Sequence, residues 1–459
     1  MLSLPFQAQM SGTLSPYTYI WLSLIFSLGS SQCYCLNFNI RRCFLKIIYP
    51  ICCGVDVHKR TISATIAKTD RGITSYQTKA FLTFNEELYD FKQWLLDNQC
   101  YDVCMESTGK YWIPLFNILE KEFNVILTHP KYVRAIKGKK TDKKDSKWIA
   151  DLFKHDLVKA SFIPPPLIRS CRELARYRAK LVYARSSEKN RYQDCMTNSN
   201  LRIASVLSDP FGETSKNIMN YVLSCNIFDE EQCKKLIKSS AKRKADLIIK
   251  SVRGYLIKED QKFKMNVSGR HIDFLDTAVL KTEAELYVRL EPHYHLIELL
   301  STIPGISELS AALILSEIGM DMNIFDSSKH LTSWAGLAPA NNESAGKKKT
   351  VRISKAGQFL KPLLVQCALS AIKDKQNTYF CIKYNRIKNR RGHKKAIVAI
   401  ARMMLNSIYH MLKTGESFNP SDYEEFLHVE EIKRTMNVQK AITFLKNQGY
   451  DVSQLNKAI

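Results

Sequence analysis

Asp56 lies near the end of the apolar run Ile51-Cys52-Cys53-Gly54-Val55-Asp56-Val57, and Glu106 follows a second run, Val103-Cys104-Met105. Asp142 and Asp145 stand three apart in Thr141-Asp142-Lys143-Lys144-Asp145-Ser146. Carboxylates crowded together repel, and a divalent cation between them is the usual relief. Two Mg²⁺ ions held this way activate a nucleophile and stabilise a leaving oxygen at phosphorus. Taken singly, each acid has an ordinary use: a turn residue at Asp56, a helix cap at Asp142, a surface charge at Asp145. As a set in this order they form a candidate metal cage. The lysines around the last pair (Lys137, Lys139, Lys140, Lys143, Lys144 and Lys147) suit approaching phosphates, and equally suit a solvated basic loop.

The elements that must position these acids follow from hydrophobic periodicity. From Ile47 onward the pattern predicts strands at Ile51–Val57, Thr61–Lys68 and Ser75–Leu82, with a turn at Asp70-Arg71-Gly72. A helix is expected over Glu86–Asn98, a short strand over Asp102–Glu106, a helix over Tyr111–Glu122 and a strand over Asn124–His129. Asp142 and Asp145 open a helix whose apolar face carries Ile149, Leu152 and Phe153. Three antiparallel-compatible strands followed by alternating helices and strands match the order of an α/β RNase H-like fold. In that layout the ends of the first and fourth strands lie side by side, so Asp56 and Glu106 face one pocket. Asp142 and Asp145, three apart on a helix, share a face.

The polymer such a site would cut is indicated by charge. The 459 residues carry a formal +24, with a pI near 9.4. Between Asn341 and Gly415, seventeen Lys or Arg face two acids, Glu343 and Asp374. That density attracts phosphate backbones and makes binding salt-dependent. The thirteen cysteines show no paired spacing for zinc and read as reduced thiols of a cytoplasmic protein. Residues 1–46 differ in texture from the rest. Their apolar stretch, Tyr17 to Leu28, is shorter than the roughly 20 residues of a spanning helix, and they read as an atypical extension with a start assigned too early, the alternative being a genuine N-terminal anchor.

The acidic domain is expected over 47–166, ending at Pro164-Pro165-Pro166, and a helical connector over 167–296. The connector shows no sustained heptad, so a coiled coil is only suggested. A C-terminal, mainly helical domain is expected over 297–418, and a tail over 419–459. The domain opens with a helix-hairpin-helix-like segment whose turn holds Pro304 and Gly305, where backbone N–H groups can hold a phosphate. Ser344 follows, in Asn342-Glu343-Ser344-Ala345-Gly346, beside Lys347, Lys348 and Lys349. A serine in such a loop is either flexible surface or a nucleophile toward a phosphodiester. Ser354, beside Arg352 and Lys355, is a rival: an N-cap for a helix over Gln358–Lys373, or a phosphate contact. Arg390 and Arg391, in a run that ends at Lys395, are further phosphate-contact candidates.

Six segments carry a resemblance: Gly54-Val55-Asp56-Val57-His58-Lys59, Met105-Glu106-Ser107-Thr108-Gly109, Lys140-Thr141-Asp142-Lys143-Lys144-Asp145, Ser301-Thr302-Ile303-Pro304-Gly305-Ile306, Trp334-Ala335-Gly336-Leu337-Ala338-Pro339 and Arg352-Ile353-Ser354-Lys355-Ala356-Gly357. In this order, over roughly residues 51 to 418, the chain resembles insertion-sequence transposases of the IS110/IS1111 family. The resemblance implies a RuvC-like domain whose four acids are Asp56, Glu106, Asp142 and Asp145, joined by helices to a domain with a catalytic serine that maps to Ser344. The family commonly has Ser-Gly there, where this chain has Ser344-Ala345-Gly346. It further implies Mg²⁺, DNA at element ends and target, a structured guide RNA encoded by the element, and a homo-oligomer, with no membrane. Two other readings use the same residues: a metal-dependent nuclease of the junction-resolvase type, which needs no serine, and an inactive relative that only binds nucleic acid.

Overall fold

The computed structural model describes residues 46–106, 109–130, 133, 142–225, 227–339, 342–344, 347–350, 352–423 and 440–447. The atypical N-terminal stretch lies outside them, apart from its last residue, as does most of the C-terminal tail. The chain divides into two compact units, one ending at Ser161 and one beginning at Phe162.

The first unit is built on a five-stranded sheet in the order β3-β2-β1-β4-β5. The strands are β1 (Ile51–Val57), β2 (Thr61–Asp70), β3 (Ile73–Leu82), β4 (Asp102–Glu106) and β5 (Asn124–Thr128). β1 and β2 pair antiparallel, as do β2 and β3, whereas β4 runs parallel to both β1 and β5. The β2–β3 turn places both Arg71 and Gly72 at positive φ, which suits the right-handed twist of a two-residue hairpin. Among the described residues three helices accompany the sheet: α1 (Asn85–Asp97), α2 (Trp112–Leu119) and α3 (Asp142–Lys154).

Strand parity assigns the faces. Cys52, Gly54 and Asp56 share one side of β1, with Ser63, Thr65 and Ala67 as their opposite numbers across β2. Against this side lies α3, burying Ile149, Ala150 and Phe153 with Cys52, Ala67 and Cys104. The other side carries Ile62 opposite Phe81, and there α1 packs Phe91 edge-on and Trp94 tilted against Phe81. β1 is thus buried on both faces, which is why it reads as a continuous apolar run.

The described residues of the second unit form helices and one small hairpin. Two long helices, α4 (Pro166–Asn198) and α8 (Glu259–Leu290), pair along their length. Their contacts Arg178–Glu283, Arg185–Asp276 and His271–Glu188 climb one helix as they descend the other, so the pair is antiparallel. Each helix is roughly 50 Å long at 1.5 Å per residue. Between them in sequence, α5 (Glu213–Ser224), α6 (Glu230–Lys235) and α7 (Ala245–Val252) form a small core with Tyr192, Met196, Met265 and Ile272 at one end of the pair. At the other end a larger core gathers α9 (Tyr294–Ser301), α10 (Glu308–Ile318), α11 (Ser328–Trp334), α12 (Leu360–Ala371), α13 (Tyr379–Arg391) and α14 (His393–Thr414). Buried Glu317 on α10 receives both Nε and Nη2 of Arg176, at 2.8 and 2.9 Å, and so ties α10 to α4. No helix of the described residues is long and apolar enough to cross a membrane.

Candidate active site

The acids come together because a helix is pressed directly onto the sheet. A Cβ added to Gly54 would lie 2.3 Å from both Ser146 O and Ala150 N. Only a glycine lets α3 approach β1 this closely. Ser146, buried one residue after Asp145, then joins its hydroxyl to Thr65 at 2.8 Å and Ser63 at 3.3 Å. Thr65 continues to Thr78 at 2.9 Å. This hydroxyl chain reaches two strands, β2 and β3, and fixes the first turn of α3 against the sheet, so the placement of Asp142 and Asp145 follows from close packing.

Asp56, in β1, is only 5 % exposed. Glu106 ends the neighbouring parallel strand, one residue past the Val55–Met105 pair. The same parity that puts Cys104 on the α3 face puts Glu106 there. Burial pushes the Asp56 carboxyl up; His58 opposes that shift, while Glu106, Asp145 and Asp142 add to it. The other three predicted acids therefore sit within electrostatic reach of Asp56. The N-terminus of a helix favours Asp142 and Asp145 by itself, but Asp56 and Glu106, at strand ends, have no such support.

One residue to which the sequence reading gave no role joins them. His58 Nε2 lies 3.2 Å from Asp56 Oδ2 and 3.5 Å from Asp142 Oδ1. Positions 54, 56 and 58 share a face by strand parity, which was the available signal. One ligand atom from each of Asp56, His58 and Asp142 lies within 4.8 Å of the others. Carboxylates and an imidazole converging on one point, beside two more acids of the same sign, are a donor set that fits a divalent cation.

The predicted serine sits on a different kind of support. β6 (Asn342–Ser344) and β7 (Lys347–Thr350) form an antiparallel hairpin, with Ser344 opposite Lys347 and Glu343 opposite Lys348. Ser344 ends β6, where the sequence suggested a loop. The base of the hairpin is closed by a bridge between Pro339 and Ile353. Below it, two glycines at positive φ let backbones touch. A Cβ on Gly336 would meet Ala356 O at 2.5 Å, and one on Gly357 would meet Ala335 O at 2.1 Å. Lys361 Nζ donates to Ser354 O at 2.7 Å in the same corner.

Ser354 does not cap the following helix. α12 begins at Leu360 with no side-chain cap, and the Ser354 hydroxyl instead accepts from Ala356 N at 3.3 Å in a local turn. Gly305, with φ +85, turns between α9 and α10, and a Cβ there would meet Cys367 O at 2.5 Å, so close packing on α12 is one reason for the glycine. Lys143, Lys144, Arg352, Lys355, Arg390 and Arg391 are exposed. Lys139 and Lys140 lie outside the described residues, and for Lys347, Lys348 and Lys349 the backbone of β7 alone is described. Lys394 and Lys395 occupy the first turn of α14, which holds no acid. That is the wrong end of a helix dipole for cations unless an anion joins them.

Two family models match the chain. One, described as a transposase and bearing the DEDD and IS110 labels, covers residues 53–200. The other, the IS116/IS110/IS902 transposase family, covers residues 297–381. The chain belongs to the IS110 family of insertion-sequence transposases. Among its relatives, a 42 kDa protein of insertion element IS900 from Mycobacterium paratuberculosis is 30% identical over 158 residues, 33% of this chain and 38% of that protein. A pilin gene-inverting protein from Moraxella bovis is 29% identical over 133 residues, 28% of this chain and 41% of its own length. The transposase of element IS1111A from Coxiella burnetii is 28% identical over 124 residues, 26% of this chain and 33% of its own. This IS110-family chain thus spans about two fifths of the length of the curated relatives it matches. The first family model begins within β1 and includes all four acids, whereas the second includes Gly305, Ser344 and the glycine-supported hairpin.

Proposed function

We propose that this protein is a DNA transposase that moves an insertion sequence by cutting and exchanging DNA strands through a serine nucleophile. The observation that carries the reading is the acid cluster, with Glu106, Asp142 and Asp145 all acting on buried Asp56, in a chain whose family is that of insertion-sequence transposases. Asp56, Glu106, Asp142 and Asp145, on an RNase H-like sheet, would hold Mg²⁺, which when bound would polarise the scissile phosphate and neutralise developing charge. Ser344 Oγ would attack that phosphorus. A serine–phosphate bond forms, the bond from phosphorus to one deoxyribose oxygen breaks, and the freed sugar oxygen takes up a proton as a hydroxyl. A hydroxyl of the incoming strand reverses the step and releases the serine. Each exchange replaces one phosphodiester by another, so no nucleotide is consumed.

The cationic residues suit the substrate. Lys143 and Lys144 lie beside the acids, Lys347, Lys348, Lys349, Arg352 and Lys355 lie around the serine hairpin, and Arg390 and Arg391 end α13. Together they support binding of DNA at the element ends and target, and of an element-encoded guide RNA, largely through phosphates. The transposase would act in the cytoplasm as a homo-oligomer.

The test incubates the full chain with Mg²⁺, labelled element-junction DNA and RNA transcribed from the element's flank. A protease-sensitive DNA–protein adduct on a denaturing gel, absent with Ser344→Ala, is the expected result. Cleavage that leaves no adduct, persists in Ser344→Ala and disappears in Asp56→Ala would replace the serine reaction by a metal-dependent nuclease. DNA binding with neither adduct nor cleavage would leave an inactive binding protein.

A further inference from the structure

We propose that His58 is a ligand of the divalent ion held by Asp56 and Asp142, and that its imidazole shifts the site's ion preference from Mg²⁺ toward Mn²⁺ and later transition ions. The inference rests on the reading of the acids as a metal cage and names a ligand that cage would otherwise lack.

His58 follows β1 directly, and its backbone N–H donates to Thr61 O at 2.9 Å, which fixes it in the tight turn into β2. The ring is partly open to solvent, yet its Nε2 atom is buried and has no hydrogen-bond partner. It is 3.2 Å from Asp56 Oδ2 and 3.5 Å from Asp142 Oδ1, but neither contact has hydrogen-bond geometry. A buried nitrogen close to two carboxylates and bonded to neither is aimed at the space between them. One ligand atom from each of the three residues lies within 4.8 Å of the others, a triangle that one ion can fill. Ligation requires the lone pair on Nε2, so the ring proton sits on Nδ1.

The opposing arrangement is a protonated ring that pairs with two acids and holds no metal. The two differ in chemistry that can be read. Mg²⁺ prefers carboxylate and water oxygens, whereas imidazole raises affinity for transition ions. Removing a nitrogen ligand should therefore weaken Mn²⁺ and Co²⁺ much more than Mg²⁺.

The experiment titrates the full chain with Mn²⁺ and records its electron spin-echo modulation, with Mg²⁺ as competitor. Wild type is expected to show ¹⁴N modulation from a directly bound imidazole. His58→Ala should lose that modulation and bind Mn²⁺ about tenfold or more weaker, with Mg²⁺ binding changed by less than about threefold. A thermal melt checks that the variant is folded, which the ring's partial exposure favours. Mn²⁺ that binds in wild type, is lost in Asp56→Asn and shows no ¹⁴N modulation would overturn the ligand assignment and leave the metal cage standing. Mn²⁺ binding that Asp56→Asn leaves untouched, or no binding at all, would overturn the cage and the His58 assignment together.

Discussion

The acid cluster and the serine hairpin put chemistry in place by opposite means. Around the acids, side chains crowd: four carboxylates and an imidazole converge from two strand ends, a turn and a helix start, and a buried hydroxyl chain holds the helix. Around Ser344 the described support is main chain: a short hairpin, one bridge at its base, and two glycines that let backbones touch. A site for a cation needs several charged groups at fixed mutual distances, and a rigid sheet supplies that. The proposed nucleophile at Ser344 would need only one oxygen presented, which a short hairpin can do. The contrast implies that stability and activity are coupled at the acids and separable at the serine.

The sharpest way to break that contrast is to remove each centre in turn. Asp56→Asn and Ser344→Ala should each lower strand cleavage by roughly a thousandfold or more. Their effects on stability should differ. Asp56 is a buried carboxyl among like charges, so Asp56→Asn should raise the metal-free melting temperature, by about 1 kcal/mol of stability. The gain should shrink when Mg²⁺ is added, because wild type alone then gains a ligand. Ser344→Ala should leave the melt within about 0.5 kcal/mol of wild type. Paired melts with and without Mg²⁺ decide it. A destabilised Asp56→Asn without metal would mean that the acids are held by interactions stronger than their repulsion.

Next in size come the glycines. In Gly54→Ala the new methyl overlaps α3 backbone, so the helix must move, at about 3 kcal/mol. The variant should also lose Mg²⁺-dependent stabilisation, since Asp142 and Asp145 travel with the helix. Gly357→Ala meets both a backbone oxygen and a positive φ, and should lower the stability of the second unit by about 2–3 kcal/mol. It should abolish adduct formation yet keep the Mg²⁺ effect on the melt. Urea denaturation and the adduct gel on the same two variants would show whether the two centres fail independently.

Legibility in the sequence followed the same division. β1 and β4 were readable because buried strands are apolar on both faces, and Asp56 and Glu106 interrupt those runs. The α/β character of the first unit and the helical character of the second were legible on this basis. The α4–α8 pair was not. α8 buries Met265, Ser268, Ile272, Leu275, Val279, Thr282 and Leu286 at three- and four-residue spacing, but two of these are polar, and on α4 Arg178 and Arg185 stand where that spacing asks for apolar residues, pairing with Glu283 and Asp276 beside the seam. The ion pairs that hold the register thus hide the repeat. The serine hairpin was read as a loop because Lys347-Lys348-Lys349 is poor strand material; pairing and the bridge at Pro339 impose the strand from outside. His58 went without a role because alternation with Gly54 and Asp56 indicates only its face, whereas its meaning lies in the distance to Asp142, 84 positions away.

Smaller effects refine the acid side alone. Ser146→Ala removes the hydroxyl that Ser63 and Thr65 share, at about 1–2 kcal/mol, and should weaken Mg²⁺ stabilisation only slightly because Gly54 still admits the helix. Smaller again is a pH slope. Burial raises the Asp56 carboxyl above its ordinary value of 3.8, with Glu106, Asp145 and Asp142 adding to the shift against His58. The folded protein therefore holds that proton more tightly than the unfolded chain. The resulting stability is fully present below the ordinary value and is lost as pH rises through the raised one. In metal-free buffer, wild type should fall in stability relative to Asp56→Asn across that window. Saturating Mg²⁺ should flatten the difference, since the ion favours the ionised carboxylate. Parallel slopes for the two proteins in metal-free buffer would show that Asp56 ionises freely, and that the repulsion at this site is relieved without a cation.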